Sequence, residues 1–449
     1  MPVQGLMKRG MRWPFRLLLL LSLLIQGPSQ AEPKSPSGNP AASETAPGTG
    51  ALGRLLGLPK DGALSVSGVW VGNGSAQVTG GTRSLAPTGG AQEVLVEASL
   101  DLGKAIHWPD TWTWIQFLQV NADQSTAAAS GSVQGSNSLA AAPPLNRTEI
   151  FEYAIRKDLF RRQVRLIAGK QSASVVFANV NRPDGTNNPQ YKIASLTSLA
   201  FTPVYALPTL VGRLPGYTDS ALGLTMTVQP ELFKRKVYVS AGVFDGRSGL
   251  MQNSQPTGLT LPSLSGPLFG IVELGGGWTS GEQAKPGSFG IGGWTQGGWS
   301  RRCSSQGEKP SCFGELGAWG LYGLASQRLL NFRSGRDNSG LISFMSGGWS
   351  PAQTNLMTAS VTAGLTAQGP MASRPNDSIG IGLSWAQINT KRFLDQTFNP
   401  SELMVQLYTQ IHLGGNLFLQ PTLTALPLVG DRGASQGSLS GLLQLTALF

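Results

Sequence analysis

Charged and amide side chains recur at every second position in several short segments of the chain. Glu97 and Asp101 alternate with apolar residues over positions 94–102, and Glu152 and Arg156 alternate in the same way further on. Carboxylates, guanidinium groups and amides hydrogen-bond to hydroxylated solutes, and aromatic rings stack on sugar faces. The chemistry that these residues offer is therefore reversible binding of hydrophilic solutes.

Motifs for catalysis, nucleotide binding and metal binding would indicate a different chemistry. The chain has no G-x-x-x-x-G-K-[ST] and no H-E-x-x-H, and its only histidines are His107 and His412. A barrel-type hydrolase needs a nucleophile, a histidine base and an orienting group. His107 is predicted at a turn, and His412 shares the parity of Tyr408 on the polar face, whereas a lipid-facing esterase site requires the other face. We expect no enzymatic activity, no cofactor and no metal site.

The first 54 residues are predicted to lie outside the folded domain. Four basic residues precede an apolar run over residues 17–25, which is 9 residues long and far below the ~20 needed to span a bilayer. Small residues at Ser29 and Ala31 predict cleavage before Glu32, so residues 1–31 are a signal peptide. Residues 32–54 are rich in Pro, Ser, Ala and Gly and are predicted to be a disordered linker. Residues 55–449 form the predicted domain.

Composition and charge narrow the class of protein. Charged residues make up 13% of the chain, against roughly 25% in a typical soluble domain, while glycine is abundant at 59 residues and the mean hydropathy is −0.04. Removing the four cations of residues 1–31 from the formal +10 leaves +6. These cations are scattered, without basic runs, so we expect no nucleic-acid partner. The expected partners are sugars or ions in transit, outer-membrane lipid and lipopolysaccharide, and the barrel assembly machinery.

Alternation of apolar and polar residues continues along the whole predicted domain. It is clear in residues 222–228, 237–243, 379–385 and 403–411, and a period of two is that of a β-strand. A soluble β-sandwich also alternates, but about sixteen such segments in one run exceed what open sheets usually hold. We predict an all-β fold, a transmembrane antiparallel β-barrel of about 16 strands with a water-filled lumen, located in the outer membrane.

The last residue is an aromatic one. Leu443, Leu445, Ala447 and Phe449 share one face of the last predicted strand. A closing strand with a terminal aromatic is typical of outer-membrane barrels, where the ring lies in the interfacial girdle. Phe449 is therefore a predicted assembly signal.

Strand parity then places the polar face inside the barrel. The predicted pore-lining residues are Glu97, Asp101, Glu152, Arg156, Arg165, Glu402, Gln406, Tyr408 and Gln410, with Arg374 and Asp377 in a proline-containing loop. Lys170 and Asp245 have lipid-side parity, so we expect them at strand ends. A simpler hypothesis is that these charges only keep the lumen solvated.

Two further pairings are predicted from spacing. Glu152 and Arg165 flank a short polar connection, residues 157–162, and are expected on one wall as an ion pair or a joint solute grip. Cys303 and Cys312 flank a polar stretch with Gly307. In an exported chain, this spacing favours a disulfide over metal binding.

Several short motifs, in order, resemble those of the carbohydrate-selective (OprB-type) porins. The resemblance runs from about residue 55 to the end and is carried by residues 149–152, 164–170, 242–246 (GVFDG), 286–294 (PGSFGIGGW), 320–327 (GLYGLASQ), 364–377 and the set Glu402, Tyr408 and 419–421 (LQP). It implies an outer-membrane barrel for passive diffusion of small hydrophilic solutes, with monosaccharides favoured.

The sequence also departs from that family's pattern. Val176 stands where an acidic residue is usual, Gln406 where a second Glu is common, and residues 422–424 (TLT) replace an expected Asp and Gln. These neutral residues leave open a porin for inorganic ions or small solutes in general. Two further hypotheses are a structural or adhesive barrel with a plugged lumen and a soluble secreted sandwich.

Overall fold

The described residues close into one antiparallel β-barrel. The structure is a computed structural model, and it describes residues 50–82, 88–123, 129–137, 139, 146–180, 207–216, 220–233, 236–246, 264, 266–282, 285–303, 312–333, 339–351, 355–390 and 398–449. Each strand pairs with its neighbours in sequence, and the first pairs with the last. The prediction of a transmembrane barrel with 16 strands is confirmed, and a soluble sandwich is excluded.

The barrel has sixteen strands, with two short helices and three 3₁₀ turns among the described residues. The strands are β1 Leu64–Gly81, β2 Thr88–Asp101, β3 Thr111–Ala122, β4 Asn146–Leu159, β5 Val164–Gln171, β6 Ala221–Val228, β7 Val237–Asp245, β8 Leu268–Ser280, β9 Lys285–Cys303, β10 Cys312–Asn331, β11 Gly340–Trp349, β12 Met357–Gln368, β13 Ser378–Ile388, β14 Ser401–Gly414, β15 Leu417–Leu428 and β16 Ser435–Leu448. The helices are α1 Ala51–Leu55 and α2 Leu102–Ile106, with 3₁₀ turns at Ala173–Val175, Pro208–Leu210 and Glu231–Phe233. Among these helices, none is long and apolar enough to cross a bilayer.

Side-chain parity separates a lipid face from a lumen face. On β13, Ile379, Ile381 and Leu383 are 44–46% exposed on the outside, whereas Ser378 and Ser384 are buried on the inside. A closed barrel satisfies all ladder hydrogen bonds between strands, so apolar residues can face lipid while polar ones face inward. The alternation read from the sequence therefore corresponds to the two faces of the wall.

The two ends of the barrel differ in the length of their connections. At one end β4 joins β5 through residues 160–163, and β14 joins β15 through residues 415–416. At the other end β5 joins β6 through residues 172–220, and β3 joins β4 through residues 123–145. In outer-membrane barrels the short turns are periplasmic and the long loops extracellular.

Two of the long connections fold back into the lumen. We call residues 172–180 and 207–216 of the β5–β6 connection the inner loop, and residues 129–137 and 139 of the β3–β4 connection the latch loop. Phe177, Leu207 and Leu210 of the inner loop are buried in a core with aromatic residues of β7, β8 and β9. The lumen therefore contains chain segments as well as wall side chains.

Some local features differ from the predictions. The end of the predicted linker is ordered, because Ala51–Leu55 is helical; the predicted signal peptide and residues 32–49 lie outside the described residues. β4 runs to Leu159, so the β4–β5 connection is 160–163 rather than 157–162. A bulge at Phe151 reverses the parity of β4, as the register shift opposite Gln116/Phe117 shows.

Lys170 and Asp245 were both predicted to lie at strand ends. Asp245 is the last residue of β7, as predicted. Lys170, one residue before the end of β5, points inward and is buried. Gly169 precedes it with φ 141°, a backbone angle that regular strands do not use. This conformation interrupts the alternation on which the prediction for Lys170 depended.

Candidate functional site

The inward-facing residues of β2, β3, β4 and β5, which we call the β2–β5 wall, carry partly exposed charged side chains. Asp158 on β4 is directly opposite Arg165 on β5 in the strand register. Its Oδ1 accepts from Arg165 Nε at 3.2 Å and from Arg156 Nε at 2.9 Å. Asp158 is 1% exposed, against 30% for Arg156 and 17% for Arg165. One buried carboxylate thus fixes two partly exposed cations side by side.

An aromatic surface adjoins these cations. Trp112 on β3 is the register partner of Arg156, and the guanidinium carbon of Arg156 lies 4.8 Å from the centroid of the Trp112 ring. This distance is in the range of cation–π contacts. A charged donor and an indole therefore lie together near the short-turn end of the lumen.

A row of polar residues crosses the same wall further into the barrel. Glu97, Gln116 and Glu152 are successive register partners on β2, β3 and β4. Gln116 Nε2 donates to Glu97 Oε2 at 2.6 Å, and Trp114 Nε1 donates to Glu152 Oε2 at 3.0 Å. Glu97 and Trp114 remain partly exposed, whereas Glu152 is buried and also accepts from Ser172 N at 2.7 Å. Glu152 faces inward as predicted, but its partner is not Arg165.

A second ion-pair group on this wall is closed to the lumen. Glu149 forms an ion pair with Arg147, whose Nε lies 3.0 Å from Glu149 Oε1, and its Oε2 accepts from Lys170 Nζ at 3.4 Å. All three side chains are at most 4% exposed. Buried pairs of this kind hold strands in register more than they contact solutes. This group therefore belongs to the wall rather than to the site.

The inner loop is attached to the opposite wall through Glu273 of β8. Glu273 accepts from Ala178 N of the inner loop at 2.8 Å, from Tyr238 OH at 2.6 Å and from Tyr322 OH at 2.7 Å. The two tyrosines come from β7 and β10 and are buried. A carboxylate with three donors is a fixed anchor, because each bond restrains its orientation.

A second attachment of the inner loop uses Arg213. Its Nε donates to Asn355 Oδ1 at 2.8 Å, and its Nη1 donates to Gln296 Oε1 at 2.9 Å. Asn355 Nδ2 in turn donates to the main chain of Thr209 at 3.0 Å. Both described segments of the inner loop are thus fixed to the β8–β12 side of the lumen.

The latch loop is fixed to Glu402 at the start of β14. The carboxylate accepts from Val133 N at 2.6 Å, Gln134 N at 3.1 Å and Ser132 Oγ at 2.9 Å. Glu402 faces inward as predicted, but it is 0% exposed. It holds a loop and does not contact solutes.

The other predicted residues of β14 are also inward and buried. Gln406 donates to Thr424, Tyr408 donates to Thr366, and Gln410 donates to Gln420, at 3.0, 3.2 and 3.3 Å. Their exposed fractions are 0%, 1% and 4%. Parity was predicted correctly, but these side chains are engaged with the neighbouring strands.

Arg374 and Asp377 lie in the β12–β13 turn at the short-turn rim. Arg374 Nη2 donates to Asp377 Oδ1 at 3.1 Å and to the carbonyl of His412 at 2.8 Å. The hydrogen bond to Asp377 raises the pKa of Arg374 above its ordinary value, so this side chain is a permanent cation. The His412 ring stacks on Phe418 at 4.8 Å. These residues therefore tie turns together at the rim.

Asp101 has a structural role. Its carboxylate accepts from Gly103 N at 2.9 Å and Lys104 N at 3.2 Å, which caps α2. His107 ends the same helix with φ 60°, at a turn as predicted.

Cys303 and Cys312 lie on neighbouring strands. The backbones of Cys303 and Cys312 are register partners on β9 and β10. Their side chains lie outside the described residues, so the disulfide stays a prediction.

Residues 433–437 fit the G-x-S-x-G pattern of a catalytic serine, but they lead into the strand β16 rather than into a helix as in a nucleophile elbow. Within the described part of the chain, no group of three or more His, Cys, Asp or Glu could hold a metal ion.

Sequence reasoning missed Asp158, Trp112, Glu273 and Arg213. Asp158 has the parity of Arg156, two residues earlier, and would have been found by extending that segment. Trp112 and Trp114 alternate in the same way on β3. By contrast, no local pattern marks Glu273 or Arg213, because their partners are far away in sequence.

Comparison with known proteins agrees with this fold. The family described as carbohydrate-selective porin, OprB family, matches residues 88–424. The high-pH structure of Pseudomonas putida OprB is 16% identical, with a TM-score of 0.69 over 86% of this chain and 94% of that one. The low-pH structure of the same protein is 14% identical, with a TM-score of 0.52 over 89% and 96%. Among curated proteins, no sequence matches the chain.

The family match spans three quarters of the chain, from β2 into β15, and includes the β2–β5 wall and both loop anchors. The resemblance stated from the motifs is thereby confirmed. Such porins are channels rather than enzymes, and they reside in the outer membrane. The chain belongs to the carbohydrate-selective porins of the OprB family and is an outer-membrane porin for small hydrophilic solutes.

Proposed function

We propose that the channel passes monosaccharide-sized solutes and that these bind transiently at the β2–β5 wall. The observation that carries this proposal is the arrangement of Arg156 and Arg165 on Asp158 beside the Trp112 ring. Guanidinium groups donate to sugar hydroxyls, and indole rings stack on the apolar faces of sugars. A hydroxylated ring fits both requirements at once.

The donors needed for such binding are present. A guanidinium has five N–H donors. Arg156 directs Nε and Nη2 to Asp158, and its Nη1 has no hydrogen-bond partner among the described residues. Glu97, which is partly exposed, offers an acceptor on the same wall. Hydroxyl groups both donate and accept, so a wall with both kinds of group suits a sugar better than an inorganic ion.

The inner loop supports a limit on solute size. It occupies the side of the lumen formed by β8 to β12, where Glu273 and Arg213 hold it. We infer that solutes pass between this loop and the β2–β5 wall. A solute confined in this way meets Trp112 and Trp114 rather than only bulk water.

Planar-bilayer conductance tests the proposal. Glucose added to the wild-type channel is expected to reduce the ion current, and the half-blocking concentration should rise at least severalfold in Trp112→Ala and in Arg156→Ala. Arg162→Ala is the matched control, because Arg162 is 58% exposed at the β4–β5 turn and pairs with Asp110 there. An ohmic channel that glucose does not block would instead support the porin for inorganic ions, and equal block in all variants would place sugar binding elsewhere.

We also propose that the chain contacts lipopolysaccharide and the barrel assembly machinery. The support is the exposed apolar outer wall and the terminal Phe449, whose main chain pairs with β1. Recognition of the closing strand is tested by the yield of inserted protein for Phe449→Ser.

A further inference from the structure

Two tryptophans of β3 face the lumen in succession. Trp112 and Trp114 are separated by one outward residue, and both are partly exposed. By contrast, Trp319 and Trp349 lie on the outer face, each 47% exposed, with their ring centroids 5.4 Å apart. Outward tryptophans form the interfacial girdle of an outer-membrane barrel. The girdle does not account for indole rings that face the lumen, so Trp112 and Trp114 have another role.

The spacing of the two rings suits successive sugars in a chain. Residues two positions apart on a strand share one face and lie about 7 Å apart, a distance comparable to the length of one hexose. The line between Trp112 and Trp114 runs along β3, from the short-turn end into the barrel. A second sugar ring lengthens a bound solute along β3 without widening it, which is compatible with the inner loop on the other side of the lumen. The next inward residues of β3, Gln116 and Leu118, are buried and not aromatic, so the row has two rings.

The Trp114 ring is held by a buried carboxylate. Trp114 Nε1 donates to Glu152 Oε2 at 3.0 Å. Glu152 is 6% exposed, and its Oε1 accepts from Ser172 N at 2.7 Å, at the start of the inner loop. Both oxygens of this carboxylate are therefore engaged, and the indole has a fixed hydrogen-bond partner. A ring that is already ordered loses less conformational entropy when a solute binds to it.

Small and polar residues flank the Trp114 ring. Its register partners are Ser99 on β2 and Ala154 on β4, so neither neighbouring strand places a bulky side chain beside the indole. Ser99 and Glu97 are partly exposed. Among the described residues, Ser99 Oγ and Glu97 Oε1 have no hydrogen-bond partner, since Gln116 donates to Glu97 Oε2. A sugar that lies against Trp114 therefore finds a hydroxyl and a carboxylate oxygen on the same wall.

The polar groups beside the two tryptophans are complementary. Arg156, at the Trp112 ring, can only donate hydrogen bonds, whereas the ionised carboxylate of Glu97, two positions along β2 from the register partner of Trp114, can only accept them. Sugar hydroxyls both donate and accept, so two linked sugar rings engage both groups. We propose that Trp114 forms a second sugar subsite in line with Trp112, so that the channel binds disaccharides more tightly than monosaccharides. This subsite rests on the proposed sugar binding at the β2–β5 wall.

Block of the ion current by sugars of increasing length tests this second subsite. In planar bilayers containing the wild-type protein, the half-blocking concentration of maltose is expected to be at least about fivefold lower than that of glucose, with no comparable further gain for maltotriose. If glucose blocks the current and maltose blocks it no better, the second subsite is overturned while the proposed function stands. If neither sugar blocks the current, the proposed function fails, and the second subsite fails with it.

Variants of β3 test whether the Trp114 ring is responsible. Trp114→Ala is expected to abolish the advantage of maltose over glucose, whereas Trp114→Phe should retain most of it, because phenylalanine still stacks on a sugar but cannot donate to Glu152. Ile115→Ala is the matched control, because Ile115 is the next residue and is 47% exposed on the lipid face. An unchanged advantage in Trp114→Ala, or its loss in Ile115→Ala, would overturn the proposal. If Trp114→Ala does not insert, loss of the advantage in Trp114→Phe would overturn it instead.

Discussion

Phe449 closes the barrel on Gly68. Phe449 N donates to Gly68 O at 2.8 Å, and Gly68 N donates to Phe449 O at 2.6 Å. The Phe449 ring lies against the outer face of Gly68, and a Cβ at that position would overlap it. The terminal residue is thus both the last ladder partner of β1 and an aromatic group that requires a glycine beneath it.

Gly68→Ala and Phe449→Ser should both impair assembly. The added Cβ displaces the ring, and overpacking of this kind costs about 1–3 kcal/mol, while serine removes the ring and its interfacial contact. The expected result is less heat-modifiable protein in the outer membrane for each variant. Gly441→Ala on β16 is the control, because only Leu423 Cδ2, at 4.0 Å, lies near its added Cβ. Normal insertion of Phe449→Ser would contradict the role of the closing strand.

Substitutions of Asp158 and of Arg165 should shift the ion selectivity of the channel in opposite directions. Arg165→Ala removes a lumen cation, so the reversal potential in a KCl gradient should move toward cation preference. Asp158→Asn leaves Arg156 and Arg165 without their shared anion, and the potential should move toward anion preference. Stability should fall by less than about 1 kcal/mol in the first variant and by about 1–3 kcal/mol in the second. If both variants have the same reversal potential as the wild type, Asp158, Arg156 and Arg165 do not lie in the ion path.

Glu273→Ala should release part of the inner loop. Ala178 N, Tyr238 OH and Tyr322 OH all lose their acceptor, so the loop should fluctuate and the single-channel current should become larger or noisier. The matched control is Ser240→Ala, because Ser240 is the register partner of Glu273 and is hydrogen-bonded to Thr227 rather than to the loop. Identical current traces for Glu273→Ala and wild type would argue against an anchoring role.

Glu402→Ala should release the latch loop. The main-chain amides of Val133 and Gln134 then lose their acceptor, and their hydrogen exchange should accelerate at least tenfold. Gln406→Ala is the control on the same face of β14, because Gln406 donates to Thr424 instead. If exchange at residues 133 and 134 is unchanged in Glu402→Ala, other contacts are sufficient to hold the loop.

The sequence was enough to predict the wall of this protein. Alternation has a period of two and depends only on which face each residue prefers, so the strands and the inward direction of Glu97, Arg156 and Arg165 follow from local pattern. Family motifs supplied the class of channel in the same way. Prediction failed locally where the backbone leaves the regular pleat, at the Phe151 bulge and at Gly169.

The partners of the inward residues were decided by the tertiary structure. Arg165 pairs with Asp158 rather than Glu152, because the turn at residues 160–163 sets the register of β4 against β5. Glu402 binds main-chain amides that are 268 and 269 positions away in sequence, and Glu273 binds Ala178 across 95 positions. Contacts between a wall and a loop that folds back onto it leave no periodic signal, because they depend on where the closed barrel brings distant segments together.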